Sequence, residues 1–318
     1  MRAIAAWEST LRHVSGNRER KRKRNGSRRP LVALGTIVLL VALVCGTVVV
    51  TAFYVRSSLD ELDLEPAPPA AGCVVDVDDD DVDELDVEQA ANAATVSGVG
   101  FEHDLPPEAV VIAYATVWQE STFYNIEFGD RDSLGLFQQR PSMEWGEPHE
   151  LTDPVYASDA FYTELDEVPD YTDMPVYEAA QEVQRSADGF AYDQHEDRST
   201  VMAEAFTGSA ESAVHCWFDE DRDAIGQAEV TPGVESAKQE MDRVFGFEPT
   251  ELPEIVEDDD TPETGDVGWA MALWAVSHAQ AYELQGVAYN DVQWRAAEGR
   301  AGWTERAEPL PEDELVLE

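Results

Sequence analysis

Apolar residues recur at intervals of three and four between residues 85 and 216, which is the pattern of helices that bury one face. Prolines and helix-capping residues mark where most of these helices begin. The pattern predicts five helices, at Asp86 to about Val99, Pro106 to about Glu120, Asp153 to about Val168, Pro175 to about Val183, and Tyr192 to Thr207. Only Asn125–Gln139 is suited to short strands or an ordered hairpin-like loop. Residues 85–216 are therefore predicted to form a helical domain with one small β or loop insertion.

The pattern changes after residue 216. Residues 217–265 are strongly acidic, and we predict one helix in them, from Val234 to Phe245. Residues 266–306 predict a small α+β module, in which a helix from Val267 to Leu284 precedes short strands at 287–289, 292–294 and 302–303. Residues 307–318 form an acidic tail. The spacing favours a role in the core of this module, rather than in sugar stacking, for Trp269, Trp274, Trp294 and Trp303.

The N-terminal part has two zones of opposite character. Ten of the 21 Lys/Arg lie within residues 1–30, and the 25 residues from 31 to 55 carry no charge, which is long enough to span a bilayer. We interpret 1–30 as a basic cytoplasmic tail, 31–55 as a transmembrane helix and the remainder as extracellular. A cleaved signal peptide is the alternative, but the long apolar run without a clear cleavage site favours a retained anchor. Residues 56–84 are predicted to be an acidic disordered stalk.

Charge then limits the possible partners. From residue 56 onward, 64 Asp/Glu stand against 11 Lys/Arg, a formal charge of −53. This argues against nucleic acid as a partner, because phosphate contacts need clustered cations. A solvated acidic coat, of the kind that keeps proteins soluble in high salt, is the favoured interpretation of this charge.

The densest acidic run, Asp76–Glu84, lacks the glycine and the glutamate spacing of a calcium loop. The six histidines show no metal-ligand spacing and there is no phosphate loop, so neither metal nor cofactor is predicted.

The cysteines predict a covalent link. Cys45 lies in the apolar span. Cys73 and Cys216 flank the predicted helical domain, on the oxidising, extracellular side of the predicted membrane span. A pair placed in this way predicts a disulfide that joins the two ends of the domain. Two free thiols are the alternative.

A carboxyl group at the end of the second predicted helix is the strongest candidate for chemistry. Glu120 and Ser121 end the apolar pattern, and the glycine-punctuated segment Gly129–Gln139 follows closely. Cleaving a glycosidic bond needs a carboxylic acid that burial keeps protonated. The local residues that can shield it are Trp118, Phe123 and Phe128. A hydrolase also needs a second carboxylate, for which the candidates are Asp130 and Asp132.

A resemblance adds to this reading and is carried by residues 89–94, 113–121, 129–140, 145–146, 153–157, 179–186 and 191–192. The run from Ala90 to Cys216 resembles a group of actinobacterial single-pass envelope proteins. More distantly, it resembles the lysozyme-like superfamily that includes soluble lytic transglycosylases and goose-type lysozymes. The match to these enzymes is a Glu-Ser pair at a helix end, followed by Gly-Leu-x-Gln.

The resemblance implies roles for individual residues. Glu120 would be the general acid and base, while Gly135, Leu136 and Gln138 would line the glycan-binding cleft. Where transglycosylases show Ala-Tyr-Asn, this chain has Ala180-Gln181 and Gln184–Ser186, which departs from the pattern. The remaining residues predicted to bind glycan are Ser121, Gln139, Gln181, Gln184, Arg185 and Tyr192.

These observations lead to one expectation and two alternatives. We expect a membrane-anchored cell-envelope protein that binds peptidoglycan glycan strands, with cleavage of lytic transglycosylase or muramidase type through Glu120. The first alternative is a non-catalytic envelope scaffold that keeps the lysozyme-like fold. The second is an acidic, cation-binding surface protein. Because 64 carboxylates follow residue 56, the choice of Glu120 rests on its flanking sequence and not on its charge.

Overall fold

The computed structural model describes residues 71–77, 82–186, 189–218, 231–247, 266–311 and 314–318, together with six residues between 43 and 51. The chain divides into two compact units, Met1–Ala67 and Pro68–Glu318. Among the described residues, no helix combines the length and the hydropathy needed to cross a membrane. The predicted basic tail and most of the predicted span at 31–55 lie outside the described residues. In the second unit the architecture is mainly helical, as predicted, with two small antiparallel sheets, of which the sequence predicts only the C-terminal one.

The first sheet joins the two ends of the predicted helical domain. It consists of β1 (Gly72–Asp76), β2 (Val82–Leu85) and β3 (Val214–Trp217) in the order β2-β1-β3. In the register of β1 and β3, Cys73 lies opposite Cys216, and the two form a disulfide. The predicted pairing is therefore confirmed.

Residues 72–76 and 82–84 differ from the predicted disordered stalk, because they are strands of this sheet. Cys73 and Val75 are fully buried while Asp76 is exposed, which is the alternation of a half-buried strand. The pattern spans too few residues to be recognised in the sequence. Strand β1 is stabilised by pairing with β3, which lies more than 130 residues away along the chain.

Six helices follow in the central region. They are α1 (Val87–Glu102), α2 (Pro107–Glu120), α3 (Pro148–Leu151), α4 (Pro154–Asp166), α5 (Val176–Gln184) and α6 (Glu196–Phe206). Short 3₁₀ helices lie at Pro141–Met143, Tyr171–Asp173 and Gly189–His195. The helix predicted at Tyr192–Thr207 is thus split into a 3₁₀ helix and α6. Predicted helices at the other four positions are confirmed with shifts of a few residues at their ends.

Helix α1 is the centre of the unit. Most of its residues are buried all round its circumference, and small side chains predominate in it. A Cβ at Gly98 would lie 2.4 Å from Val244 Cγ1, so glycine is needed for the close packing of the helix that contains Val244. Gln89 Oε1 accepts a hydrogen bond of 2.9 Å from the Asp86 backbone N–H and caps the helix start.

The C-terminal part contains α7 (Val234–Phe245), α8 (Val267–Ser277), α9 (Ala279–Tyr282) and a 3₁₀ helix at Ala296–Ala301. Its sheet has the order β6-β5-β4-β7, formed by β4 (Gly286–Tyr289), β5 (Val292–Arg295), β6 (Thr304–Glu305) and β7 (Leu315–Leu317). The third strand predicted at 302–303 begins two residues later, at Thr304. Part of the predicted acidic tail is strand β7.

This C-terminal part shares one core with the central helices. Helix α8 packs along α1, and buried residues of both contribute to the same hydrophobic cluster. Trp294 Nε1 donates to the Cys216 carbonyl at 3.1 Å, and Trp303 Nε1 donates to the Val214 carbonyl at 2.7 Å. The tryptophans predicted to lie in a module core are therefore structural, and the core that they complete includes the disulfide-bonded sheet.

Candidate functional site

Helix α2 ends at Glu120 because the chain reverses sharply there. Thr122 and Phe123 both have positive φ, at 52° and 61°. This conformation costs a residue other than glycine about 1–3 kcal/mol and persists only where surrounding contacts enforce it. Gln89 Nε2 donates to the Thr122 carbonyl and Asn92 Nδ2 to the Phe123 carbonyl, each at 2.8 Å. The first turns of α1 thus hold the reversal that leaves the Glu120 carboxyl at a helix end.

The reversal places aromatic side chains beside the end of α2. Phe123 is fully buried, and its ring meets those of Trp118 and Tyr114 edge-on at 5.0 and 5.1 Å. Two of the three predicted shielding residues, Trp118 and Phe123, are therefore buried at this end of the helix. The third, Phe128, is 77% exposed, so the prediction that it shields the carboxyl is wrong. The left-handed turn directs Phe123 inward, whereas Phe128 lies beyond it in an exposed loop.

Glu120 is held in a partly buried position with one strong partner. The Tyr192 hydroxyl donates to Glu120 Oε1 at 2.8 Å. Burial raises the pKa of Glu120 above its ordinary value, and the hydrogen bond from Tyr192 opposes part of this rise. Burial and the neighbouring Glu120 carboxylate raise the pKa of Tyr192 well above its usual range, so Tyr192 stays protonated and keeps donating. In the described part of the chain, this pair is the strongest candidate for a catalytic group and its hydrogen-bond partner.

A network of hydrogen bonds at the end of α5 lies behind Tyr192. The Ser186 hydroxyl lies beside that of Tyr192 and donates to Gln181 Oε1 at 2.9 Å. Gln181 Nε2 in turn donates to the Ser186 carbonyl at 3.0 Å. Gln184 Nε2 donates to the Phe137 carbonyl at 2.8 Å. The end of α5 therefore connects the partner of Glu120 to the Gly129–Gln139 loop.

Arg185 behaves differently from its neighbours. It ends α5 in the left-handed conformation, with φ 50°, and its side chain is 75% exposed. Its guanidinium lies 3.6 Å from the carboxylate of Glu164 on α4. The structure therefore directs Arg185 toward α4.

The Gly129–Gln139 loop is packed against the helices. Gly135 has φ 72°, and a Cβ there would lie 1.9 Å from the Leu151 carbonyl oxygen, so only glycine fits. Leu136 is fully buried. Gln139 is also buried, with Nε2 donating to the Ala157 carbonyl at 3.0 Å. Gln138 is partly exposed, but its Nε2 donates to the Gly135 carbonyl at 3.2 Å, so its side chain is also engaged within the loop.

The two aspartates predicted to assist Glu120 have other surroundings. The Asp130 side chain is 92% exposed, 3.8 Å from Arg131. Asp132 accepts from the Ser142 backbone and hydroxyl at 2.8 and 3.0 Å and from Arg140 Nε at 2.9 Å. These hydrogen bonds lower the pKa of Asp132 to about 2. Asp132 therefore acts as a clamp on its own loop, and neither aspartate shares a hydrogen bond with Glu120 in the described part of the chain.

Some features of the site were not recognised in the sequence. Tyr192 was predicted to bind substrate, and the departure from Ala-Tyr-Asn was placed at residues 180–186, but it is Ala191-Tyr192-Asp193 that supplies the contact to Glu120. The Ala-Tyr pair followed by an acidic residue is the signal that could have found this contact.

Glu88 is a second half-buried carboxyl near the site, and burial raises its pKa. Its Oε1 accepts from the Asn125 backbone at 3.1 Å.

One group of side chains elsewhere has metal-ligand spacing. The ligand atoms of Glu102, His103 and Asp159 lie within 4.8 Å of one another, and His103 Nε2 is 3.0 Å from Asp159 Oδ1. Glu102 is the last residue of α1, while the Glu120 turn contacts the first turns of that helix. A helix of 16 residues is about 24 Å long, so the two sites are well separated.

Comparison with known proteins adds no family to this description. No protein-family model matches the chain, and no curated protein matches it. The class of protein is therefore defined by the fold and the site alone. It is a mainly helical unit with small antiparallel sheets and a buried glutamate–tyrosine pair at a helix end.

The raised pKa of Glu120 predicts a stability effect that does not depend on function. Folding raises this pKa above its ordinary 4.5, so the group favours the folded state at low pH and loses that contribution as pH rises through the folded pKa. Glu120→Gln removes the buried charge. We therefore expect the variant to melt at a higher temperature than wild type at pH 7, with a difference that shrinks toward pH 4.

Thermal unfolding of both proteins from pH 4 to pH 8 measures this effect. Glu182→Gln, on the exposed face of α5, removes an equal charge and serves as the control. A melting temperature for Glu120→Gln that equals or falls below the wild-type value across the range would contradict the assignment of a partly buried carboxyl with a raised pKa.

Proposed function

We propose that this protein binds the glycan strands of peptidoglycan in the cell envelope and cleaves them with Glu120 as the general acid. The observation that supports this most directly is the contact between Tyr192 and Glu120 at the end of α2. It gives a carboxyl of raised pKa a fixed orientation, and a general acid needs both properties. The resemblance of Ala90–Cys216 to lysozyme-like enzymes supports the same chemistry.

The chemistry proposed at Glu120 uses one carboxyl group twice. Protonated Glu120 gives its proton to the glycosidic oxygen as the C1–O4 bond breaks. The carboxylate then takes a proton from the C6 hydroxyl of the same muramic acid ring, whose oxygen bonds to C1. The product is a 1,6-anhydro sugar, and Glu120 is protonated again. No second carboxylate is required, which agrees with the fixed position of Asp132 and the exposure of Asp130.

The alternative function is a non-catalytic scaffold that binds glycan through the same face. The structural roles of Gly135, Leu136 and Gln139 in the Gly129–Gln139 loop agree with this alternative, because the packing of these residues does not require catalysis. The two functions differ in bond cleavage and not in binding.

The proposed location is the outer face of the cell membrane. The Cys73–Cys216 bridge supports an oxidising compartment, since disulfides persist outside the cytosol. Attachment to the lipid bilayer through residues 31–55 remains part of the proposal. Nucleic acid is not proposed as a partner, because the formal charge of the chain is −45.

Sedimentation with purified sacculi tests the binding that both functions share. We expect full-length protein to pellet with sacculi, and to do so in high salt, because contacts to a neutral sugar are weakly screened. Protein that stays in the supernatant under all conditions would contradict both functions.

A further inference from the structure

Two aromatic rings are stacked at the surface beside the candidate site. The rings of Tyr177 and Phe190 are 4.9 Å apart at an interplanar angle of 25°. Phe190 is 72% exposed, and Tyr177 is half-buried. Single exposed apolar residues are ordinary. Among the large, exposed apolar residues of the described chain, however, Phe190 is the one that stacks on another ring. We call this pair the Phe190–Tyr177 platform.

Phe190 lies on the same 3₁₀ helix as Tyr192, the hydrogen-bond partner of Glu120. Phe190 precedes Tyr192 by two residues in the 3₁₀ helix Gly189–His195, which corresponds to about 4 Å along the helix axis. Tyr192 in turn contacts Glu120. One short helix therefore contains both Phe190 and the hydrogen-bond partner of Glu120.

Close packing of the 3₁₀ helix against α5 holds the platform in place. A Cβ at Gly189 would come within 2.7 Å of Gln181 Oε1, so the missing side chain allows the two elements to approach. Tyr177 lies in the first turn of α5, and Gln181 follows one turn later. The contact that aligns the rings is therefore part of the network behind Tyr192.

The rim of the platform is acidic. The Tyr177 hydroxyl donates to Glu178 Oε1 at 2.9 Å. Glu178 and the nearby Asp193 raise the pKa of this hydroxyl. Carboxylates beside a flat apolar face accept hydrogen bonds from hydroxyl groups and repel phosphates and anionic lipid surfaces. These properties match a neutral sugar ring, which has an apolar face of C–H groups and hydroxyls at its edge.

We propose that the Phe190–Tyr177 platform stacks against the apolar face of a neutral N-acetylhexosamine ring. The platform is then a subsite that positions the strand. The choice of an N-acetylhexosamine rests on the proposed function, whereas the stacking of a neutral sugar ring does not.

Titration of the full-length protein with chitotetraose, a neutral N-acetylglucosamine oligomer, tests this. We expect Phe190→Ala to weaken binding about tenfold, and Phe190→Trp to retain it, because stacking on an aromatic face is lost in the first variant only. The control is Phe128→Ala, an equally exposed phenylalanine without a ring partner, which is expected to bind as wild type does.

The outcomes separate the platform from the proposed function. Binding by Phe190→Ala equal to wild type, or no binding by wild type, would overturn the platform. Selective, salt-sensitive binding of a lysine-rich peptide that displaces the sugar would overturn it in favour of a cationic partner. Binding of chitotetraose that depends on Phe190, together with sacculi that are neither bound nor cleaved, would leave the platform standing and refute the proposed function.

Discussion

Glu120→Gln is expected to lower the rate of soluble muropeptide release about 10²–10⁴-fold, which is the usual contribution of a general acid. Gln keeps the size of the side chain, and its Oε1 can still accept the hydrogen bond from Tyr192. It lacks the proton that the leaving oxygen must receive. Sacculus binding should remain within about twofold of wild type, because binding does not use that proton.

The assay compares release by wild type, Glu120→Gln and the exposed control Glu182→Gln under the same conditions. The control should release muropeptides at the wild-type rate. Full activity in Glu120→Gln would show that the acid lies elsewhere, even if the protein cleaves glycan. A parallel loss of binding and release would instead indicate that Glu120 holds the substrate.

Removal of the disulfide is the second change with a large expected effect. The bridge joins residues 143 positions apart, and both cysteines are fully buried in the sheet of β1 and β3. In the chain-entropy model, a closed loop of this size stabilises the folded state by roughly 3–5 kcal/mol. For a domain of this size, we expect Cys73→Ala/Cys216→Ala to lower the melting temperature by about 10 °C.

Thermal unfolding of the double variant against wild type measures this loss, and mass mapping of wild type under non-reducing conditions checks the linkage. Val74→Ala, at a partly exposed position of the same strand, is the control and should cost much less. A double variant that melts with wild type, or two free thiols in exported protein, would contradict the account.

The sequence predicted the helices well because their signals are local. Pro106 and Pro107 mark the start of α2 and apolar spacing follows it to Glu120, so both the helix and the position of the carboxyl at its end could be predicted. Strand β1 could not, since its five residues are stabilised by partners distant in the chain. Strands β1, β2 and β3 therefore became apparent only with their pairing.

The candidate site shows the same division. Glu120 was recognised from its neighbours, but its partner Tyr192 lies 72 residues away, and no local pattern connects the two. Of two phenylalanines five residues apart, Phe123 is buried and Phe128 exposed, a difference that the apolar pattern of the sequence does not show. Composition could not show that Ser142 and Arg140 engage the carboxylate of Asp132.

The most direct test of the account is mass spectrometry of the soluble material that wild-type full-length protein releases from purified sacculi. We expect muropeptides with 1,6-anhydro ends, because Asp132 is engaged by its own loop and Asp130 is exposed, so the proposed mechanism takes its nucleophile from the substrate. Reducing ends would indicate hydrolysis with a water molecule instead. Protein that binds sacculi and releases nothing at any pH or salt concentration would contradict cleavage and establish the scaffold.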